Sequence, residues 1–276
     1  MDYKQALTDR VIIVTGAGRS GTTILGKIIG SMEPAYYLFE PSIMKFCRDP
    51  ESLRAVVFED YFLLQTQGRA GNFRNESDDS YIGNYNTHIP GPVDRESSLR
   101  ECLQSKLVIK LTEYQPVMSF ARIAFPGCQF VHIVRNGNDV VDSTCRRGWY
   151  TDEWMKTGYL DLLDNDVPWF IDETSKRLWG KWNQETRAAC VWRCSTQEGV
   201  GDDVLLLKYN DLAETNFDGL AKHLNLKMSG LTRKHIKGIK PPNKHRSVLD
   251  KIRQPELGKF LFLMQLIGGT DDKMAA

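Results

Sequence analysis

The run Val11-Ile12-Ile13-Val14-Thr15 leads directly into Gly16-Ala17-Gly18-Arg19-Ser20-Gly21-Thr22-Thr23. Unbroken apolar and β-branched residues predict a central strand, and the glycines behind it predict a tight turn. From Thr22 to Ser31 the apolar residues adopt helical spacing. A strand that ends in a glycine turn and opens a helix aims several backbone N–H groups at one point. The helix dipole adds positive potential there, and the natural guest is a phosphate.

Three kinds of phosphate-bearing ligand compete for such a loop. A nucleoside triphosphate loop reads G-x-x-x-x-G-K-[ST], with Lys where this chain has Thr22. It also needs a strand-end Asp for Mg²⁺, whereas the apolar run Phe130–Val134 ends in Arg135. Both departures remove the same chemistry and argue against a kinase or NTPase. A dinucleotide fits better: Gly16, Gly18 and Gly21 satisfy G-x-G-x-x-G, and Glu40 lies near the place of a ribose-binding acid. Against it, no Tyr is followed four places on by Lys, the pair a short-chain dehydrogenase uses. Arg19 and Ser20 also add a charge and a hydroxyl that a dinucleotide turn does not require. On these residues an NAD(P)-dependent oxidoreductase or a nucleotide-binding module stays open.

The third ligand is suggested by motifs taken together. Arg19-Ser20-Gly21-Thr22-Thr23 resembles the 5'-phosphosulfate loop of the sulfotransferase family. Phe130-Val131-His132-Ile133-Val134-Arg135, with Ser143 eight residues beyond the arginine, resembles that family's 3'-phosphate site. Val108-Ile109-Lys110 ahead of Pro116 is similar to the strand that precedes this site. Leu205-Leu206-Leu207-Lys208-Tyr209-Asn210-Asp211-Leu212 is like the family's late strand and turn. The motifs follow one another in the family's order from Val11 to Leu212, and the remainder of the chain matches poorly.

The resemblance implies a transferase that moves a sulfuryl group from 3'-phosphoadenosine 5'-phosphosulfate (PAPS) to an acceptor, without a metal. Gly18, Arg19, Ser20, Gly21, Thr22 and Thr23 would hold the 5' end of the donor, and Arg135 and Ser143 the 3'-phosphate. Arginine suits that second task because its planar fork grips phosphate with two hydrogen bonds. Arg19 would stabilise the charge that grows on the leaving phosphate, with Lys110 as a further catalytic cation. The family closes its 3'-phosphate site with a late basic loop, a role open to Lys244 and Arg246; a merely solvated loop fits as well. Glu40, in Phe39-Glu40-Pro41, matches a stretch in carbohydrate-type members whose Glu is implicated as the base. At the carboxyl end of a parallel strand it would face the ligand crevice. His88 and Glu113 are reserve bases. Small-molecule members carry His two places after the strand Lys; Thr112 stands there, so that histidine is not carried over.

Strands alternate with helices along the rest of the chain. This predicts an α/β fold of three layers, a central parallel sheet with helices on both faces, in a single domain over residues 1–276. Strands are expected at residues 35–39, 107–111, 129–134 and 203–207. Helices are expected at 50–66, 116–125, 138–147, 173–195, 211–224 and in a buried C-terminal stretch around 260–267. Residues 67–98 and 148–170 read as irregular, and both are expected to wall the acceptor pocket, because loops on a rigid scaffold carry specificity. Asp211 is expected near a helix N-cap. The net charge of +1 gives no argument for a nucleic-acid or membrane partner. Six cysteines without a C-x-x-C pair read as reduced, partly buried thiols. Met1 to Arg10 show no signal-peptide pattern, and the expectation is a cytoplasmic protein. His132, inside an apolar strand, reads as a satisfied core histidine.

Residues 148–170 combine Asp152, Glu153, Asp161, Asp164 and Asp166 with Trp149, Tyr150, Trp154, Tyr159, Trp169 and Phe170. As a pocket wall this composition suits a neutral or cationic guest rather than a polyanionic sugar. The expected acceptor is a small soluble molecule with a hydroxyl or amine, such as an alkaloid-like natural product or toxin. A carbohydrate is the alternative acceptor. The competing reading is that these acids are solvated and the aromatics only pack.

Overall fold

β1 (Val11–Thr15) is buried at every position and has a parallel neighbour on each side. Its unbroken apolar run belongs to a strand covered on both faces. The computed structural model describes residues 10–39, 49–55, 57, 81–82, 105–112, 117–157, 163–164, 167–241 and 246–268. Among them the main sheet runs in the order β3 (Tyr81–Ile82), β2 (Ala35–Phe39), β4 (Lys106–Lys110), β1, β5 (Gln129–Val134), β8 (Val204–Lys208). β3 pairs antiparallel to β2, and the other pairings are parallel. A separate ribbon joins β6 (Leu163–Asp164) to β7 (Val167–Pro168).

The pleat sorts the helices into two outer layers. Val11 and Ile13 pack with Met118, Ala121 and Ala124 of α2 (Val117–Ala124). Ile12 and Val14 point the other way. They pack with Leu25, Ile28 and Ile29 of α1 (Thr22–Gly30) and with Phe217 and Leu220 of α7 (Phe217–His223). Phe130 and Val134 share one face of β5 by strand periodicity. Phe130 joins the α2 cluster. Val134 joins a neighbouring one built from α3 (Gly137–Cys145), α6 (Gln184–Glu198) and α9 (Glu256–Leu266). Trp179 and Trp192 are fully buried in that cluster, where each large side chain contributes on the order of 2–3 kcal/mol of burial. The three-layer α/β architecture expected from the sequence is thus present.

Several boundaries differ from expectation. The helix expected over 173–195 is two. α5 (Glu173–Leu178) runs into a 3₁₀ turn (Trp179–Lys181), and Asn183 restarts the chain as α6 by accepting the Thr186 N–H. The helix expected over 211–224 begins later, because residues Tyr209–Glu214 form 3₁₀ turns and Asn216, not Asp211, caps α7. An amphipathic helix that was not expected, α8 (Gly230–Lys237), starts in a capping box of Ser229 and Thr232. α9 is only half buried: Phe260, Leu263 and Met264 face in, while Phe262 and Leu266 face solvent. The 148–170 stretch contains α4 (Asp152–Thr157) and the β6–β7 ribbon. Of the helix expected at 50–66, residues 50–55 and 57 are helical and the rest lies outside the described residues.

Strand order settles one alternative. In a dinucleotide-binding fold the second strand lies beside the first. Here β4 is inserted between β1 and β2. The glycine fingerprint at Gly16, Gly18 and Gly21 is therefore not carried on a dinucleotide-type sheet, and the NAD(P)-dependent oxidoreductase reading loses its scaffold.

Candidate functional site

At the carboxyl edge of the sheet, the chain leaves β1 into α1 on one face and leaves β5 into α3 on the opposite face. Where two such connections diverge, a crevice opens at the strand ends, the usual ligand position in parallel α/β sheets. The glycine loop and the Arg135 corner form its two lips.

The loop is held open by residue type. Gly16 has φ 152°, and a Cβ there would lie 2.4 Å from the Ile133 carbonyl oxygen. Gly21 has φ 95°, and a Cβ there would lie 2.4 Å from Cδ2 of Tyr209. Arg19 is left-handed at φ 68°, an unusual state for a side-chain-bearing residue that marks strained functional loops. α1 starts from Gly21 with no side-chain cap and no acidic residue in its first turn. The first-turn N–H groups thus face the crevice without a side-chain acceptor, and the dipole favours an anion. Ser20 is 1% exposed, and its hydroxyl finds no hydrogen-bond partner in the protein. A buried orphan hydroxyl in an anion cradle fits a ligand oxygen. Thr22 is buried beneath the loop, while Thr23 is exposed at its rim.

The two lips are tied together. Arg19 Nε donates to Ser143 Oγ at 3.3 Å, and Arg135 Nη1 donates to the Arg19 carbonyl at 3.2 Å. Arg135 lies 3.6 Å from Asp139 Oδ2, its guanidinium sits 4.6 Å from the Tyr209 ring centroid, and its own carbonyl accepts from Trp192 Nε1 at 3.2 Å. Four of the residues singled out in the sequence, Arg19, Ser20, Arg135 and Ser143, therefore meet in one place. Lys110 is 1% exposed and not a solvated strand end: its Nζ lies 4.6 Å from the Phe39 ring centroid, and its stem passes under Gly26 of α1. Arg246 is exposed, and its backbone is held at the start of α3 by Asn138. Glu40, His88, Glu113 and Lys244 lie outside the described residues.

Tyr209, Asp139 and Asn138 were not singled out from the sequence. Tyr209 had a usable signal, because an aromatic residue directly after a parallel strand lies at the crevice. Asp139 had one too, since it lies four residues beyond Arg135 on the helix that follows; Asn138 had none, because its partners Arg246 and Val248 are distant in the chain.

His132 is buried within β5, and burial pushes its pKa down to about 4. Its ring packs where a Cβ on Gly199 would lie, and neither ring nitrogen has a hydrogen-bond partner. It is a core histidine as expected, but not the hydrogen-bonded one the sequence suggested, because the apolar strand around it offers no partner. Of the segments expected to wall the acceptor pocket, 67–98 lies outside the described residues apart from 81–82, and the described part of 148–170 mostly packs. Tyr150 is buried with Trp154 and Trp179 in edge-on contacts, Trp169 stacks on Phe120, and Asp152 pairs with Arg187 at 2.6 Å. For these residues the packing reading holds.

Among the described residues no cluster of His, Cys, Asp and Glu could hold a metal ion. No helix there is long and apolar enough to cross a membrane. No protein-family model matches the chain, and no curated protein matches it in sequence. Solved structures do. The chain resembles the sulfotransferase domain of the olefin synthase from Synechococcus PCC 7002 (TM-score 0.53, 14% identity, 95% of each chain covered). It also resembles the sulfotransferase domain from the curacin biosynthetic pathway (0.51, 14% identity, 93% of this chain and 97% of that one). A third likeness is to the sulfotransferase STF9 from Mycobacterium avium (0.51, 13% identity, 96% of this chain and 77% of that one). The chain has the fold of the sulfotransferase domains.

Proposed function

We propose that the protein is a PAPS-dependent sulfotransferase. The observation that carries this reading is the junction of an uncapped glycine loop with a paired arginine corner: Arg19, Ser143 and Arg135 are linked within hydrogen-bond distance. A single phosphate would need only the loop. A second arginine on the next strand suits a nucleotide with a second phosphate, and that feature separates PAPS from ATP or NAD.

The division of labour follows from charge. Ser20, Thr22, Thr23 and the first N–H groups of α1 hold the 5'-phosphate, and Gly18 and Gly21 let the backbone approach it. Arg135 and Ser143 hold the 3'-phosphate, with Arg246 at its open side. In the transfer the acceptor oxygen or nitrogen forms a bond to sulfur as the sulfur–oxygen bond to the 5'-phosphate breaks. Arg19 and Lys110 offset the negative charge left on that phosphate. Glu40 accepts the acceptor's proton. PAPS, when bound, supplies the activated sulfuryl group, and the scheme needs no metal.

For the acceptor the reading is a small molecule bearing a hydroxyl or amine, with a carbohydrate as the alternative. Two of the like-folded domains come from an olefin synthase and from a biosynthetic pathway, which supports a natural-product acceptor over a polymer. Incubation with ³⁵S-labelled PAPS and a panel of phenols, amines, alkaloids and sugars tests this. Label in hydroxyl- or amine-bearing small molecules is expected. Label in polyanionic sugars alone would overturn the acceptor class. A protein that binds adenosine 3',5'-bisphosphate but labels no acceptor would overturn the activity.

A further inference from the structure

We propose that Asn138 is a positioning residue that fixes the Arg246 segment beside Arg135 and so helps set selectivity for a 3'-phosphate. The inference rests on the nucleotide reading above. Asn138 lies in the first turn of α3, three residues beyond Arg135. Its carboxamide is used at both ends, on one short segment far along the chain. Nδ2 donates to the Arg246 carbonyl at 2.9 Å, and Oδ1 accepts from the Val248 N–H at 2.7 Å. A side-chain amide that satisfies a carbonyl and an N–H two residues apart copies the pairing of a neighbouring strand. It fixes the segment's direction and register as well as its distance. Val248 is anchored in the α3, α6 and α9 core, so the clamp has a rigid foot.

The charge pattern gives the clamp its purpose. The Arg246 backbone is held at the N-terminal end of α3, three residues beyond Arg135, and its side chain is exposed there. A cationic side chain carried to that helix end adds positive potential where the helix dipole already favours an anion. The cap of α3 does not need this clamp: Asn136 already accepts the Asn138 backbone N–H at 3.0 Å. The Asn138 side chain is thereby released from helix capping, and its two bonds serve the segment alone. Arg246 would act on the ligand, and Asn138 would act through Arg246.

A double-mutant cycle read by calorimetry tests the role. Wild type, N138A, R246A and the double variant are titrated with adenosine 3',5'-bisphosphate and with AMP, which lacks the 3'-phosphate. N138A should lose about 5–10-fold in affinity for the bisphosphate, the scale of two lost hydrogen bonds, and less than 2-fold for AMP. R246A should behave alike, and the double variant should be no worse than R246A alone, because the clamp has nothing left to position. Equal losses for both nucleotides, or additive losses in the double variant, would overturn the positioning role. AMP binding also reports that each variant is folded. A wild type that does not prefer the bisphosphate would overturn the nucleotide reading itself. A wild type that discriminates, beside an N138A that discriminates equally well, would overturn this inference alone.

Discussion

Arg135 carries the heaviest demand of any single side chain. Its guanidinium lies between the Tyr209 ring, the Asp139 carboxylate and the Arg19 carbonyl, so its direction is set before a ligand arrives. Such preorganisation lowers the ordering cost of binding. R135A should weaken adenosine 3',5'-bisphosphate by about 100-fold, the scale of a charge-assisted bidentate grip, and should leave AMP within a few-fold. Calorimetry with both nucleotides checks this, and equal losses would speak against a 3'-phosphate at this corner. Glu40 makes the complementary case. It directly follows β2, whose last residue, Phe39, pairs in register with Lys110. E40Q should cut turnover by about 100-fold or more, as expected for removal of a general base, with bisphosphate affinity unchanged. Turnover close to wild type would remove Glu40 from the mechanism.

At the scale of elements, the least legible feature was the buried ion-pair latch that joins α6 to α9 and α5. Arg193 bonds Glu256 at 2.6 Å and Asp172 at 2.8 Å, and Glu256 is fully buried. Burial raises the Glu256 pKa, opposed by its bond to Arg193. Burial also works against the Asp172 charge, but the Ser175 N–H and Arg193 outweigh it and hold that carboxyl well below the usual range. E256A leaves the buried Arg193 with Asp172 as its remaining carboxylate partner and should cost about 2–3 kcal/mol in urea unfolding, the scale of hydrogen bonds to a charged group, with bisphosphate affinity intact. A loss below ~1 kcal/mol would mean that the pair is not what fastens α9. Nothing local in the sequence marks Arg193, Asp172 and Glu256 as partners, because Arg193 lies 21 and 63 residues from the other two. The same blindness placed one long helix over 173–195. A cap such as Asn183 is visible as a residue type, but the choice to restart a helix there is made by packing of Trp179 and Trp182. By contrast, β1, β2 and β5 were legible to the residue, because a strand buried on both faces writes its boundaries as an apolar run.

Across the whole molecule, stability should depend on pH through two groups near the end of α6. Burial raises the Glu198 pKa to about 7, against hydrogen bonds from the Ser119 hydroxyl and N–H. A carboxyl raised in the folded state favours folding while protonated, so its contribution is present below pH 4.5 and is lost as pH rises toward 7. His132 runs the other way: its pKa is depressed by burial, so folding loses stability as pH falls from 6.5 toward 4. The two slopes oppose each other in wild type. E198Q removes the falling one, and its stability relative to wild type should grow as pH rises from 4.5 to 7 in urea unfolding. A pH-independent difference between the two would show that Glu198 is not held protonated by the fold.

Topology is the whole-molecule property that the sequence left undecided. The glycine loop alone suited a dinucleotide as well as PAPS, and no local pattern says which strands are neighbours. The insertion of β4 between β1 and β2 removes the dinucleotide scaffold, and the same arrangement sets Arg135 against the loop across the β1–β5 crevice. The most direct measurement is the melting temperature of the wild type with adenosine 3',5'-bisphosphate, NADP and ATP at equal millimolar concentrations. Only a ligand held by the folded site stabilises by mass action, by about 4 kcal/mol at a thousandfold excess over its Kd. A shift of several degrees is expected for the bisphosphate and little for the other two. A larger shift with NADP or ATP than with the bisphosphate would contradict it.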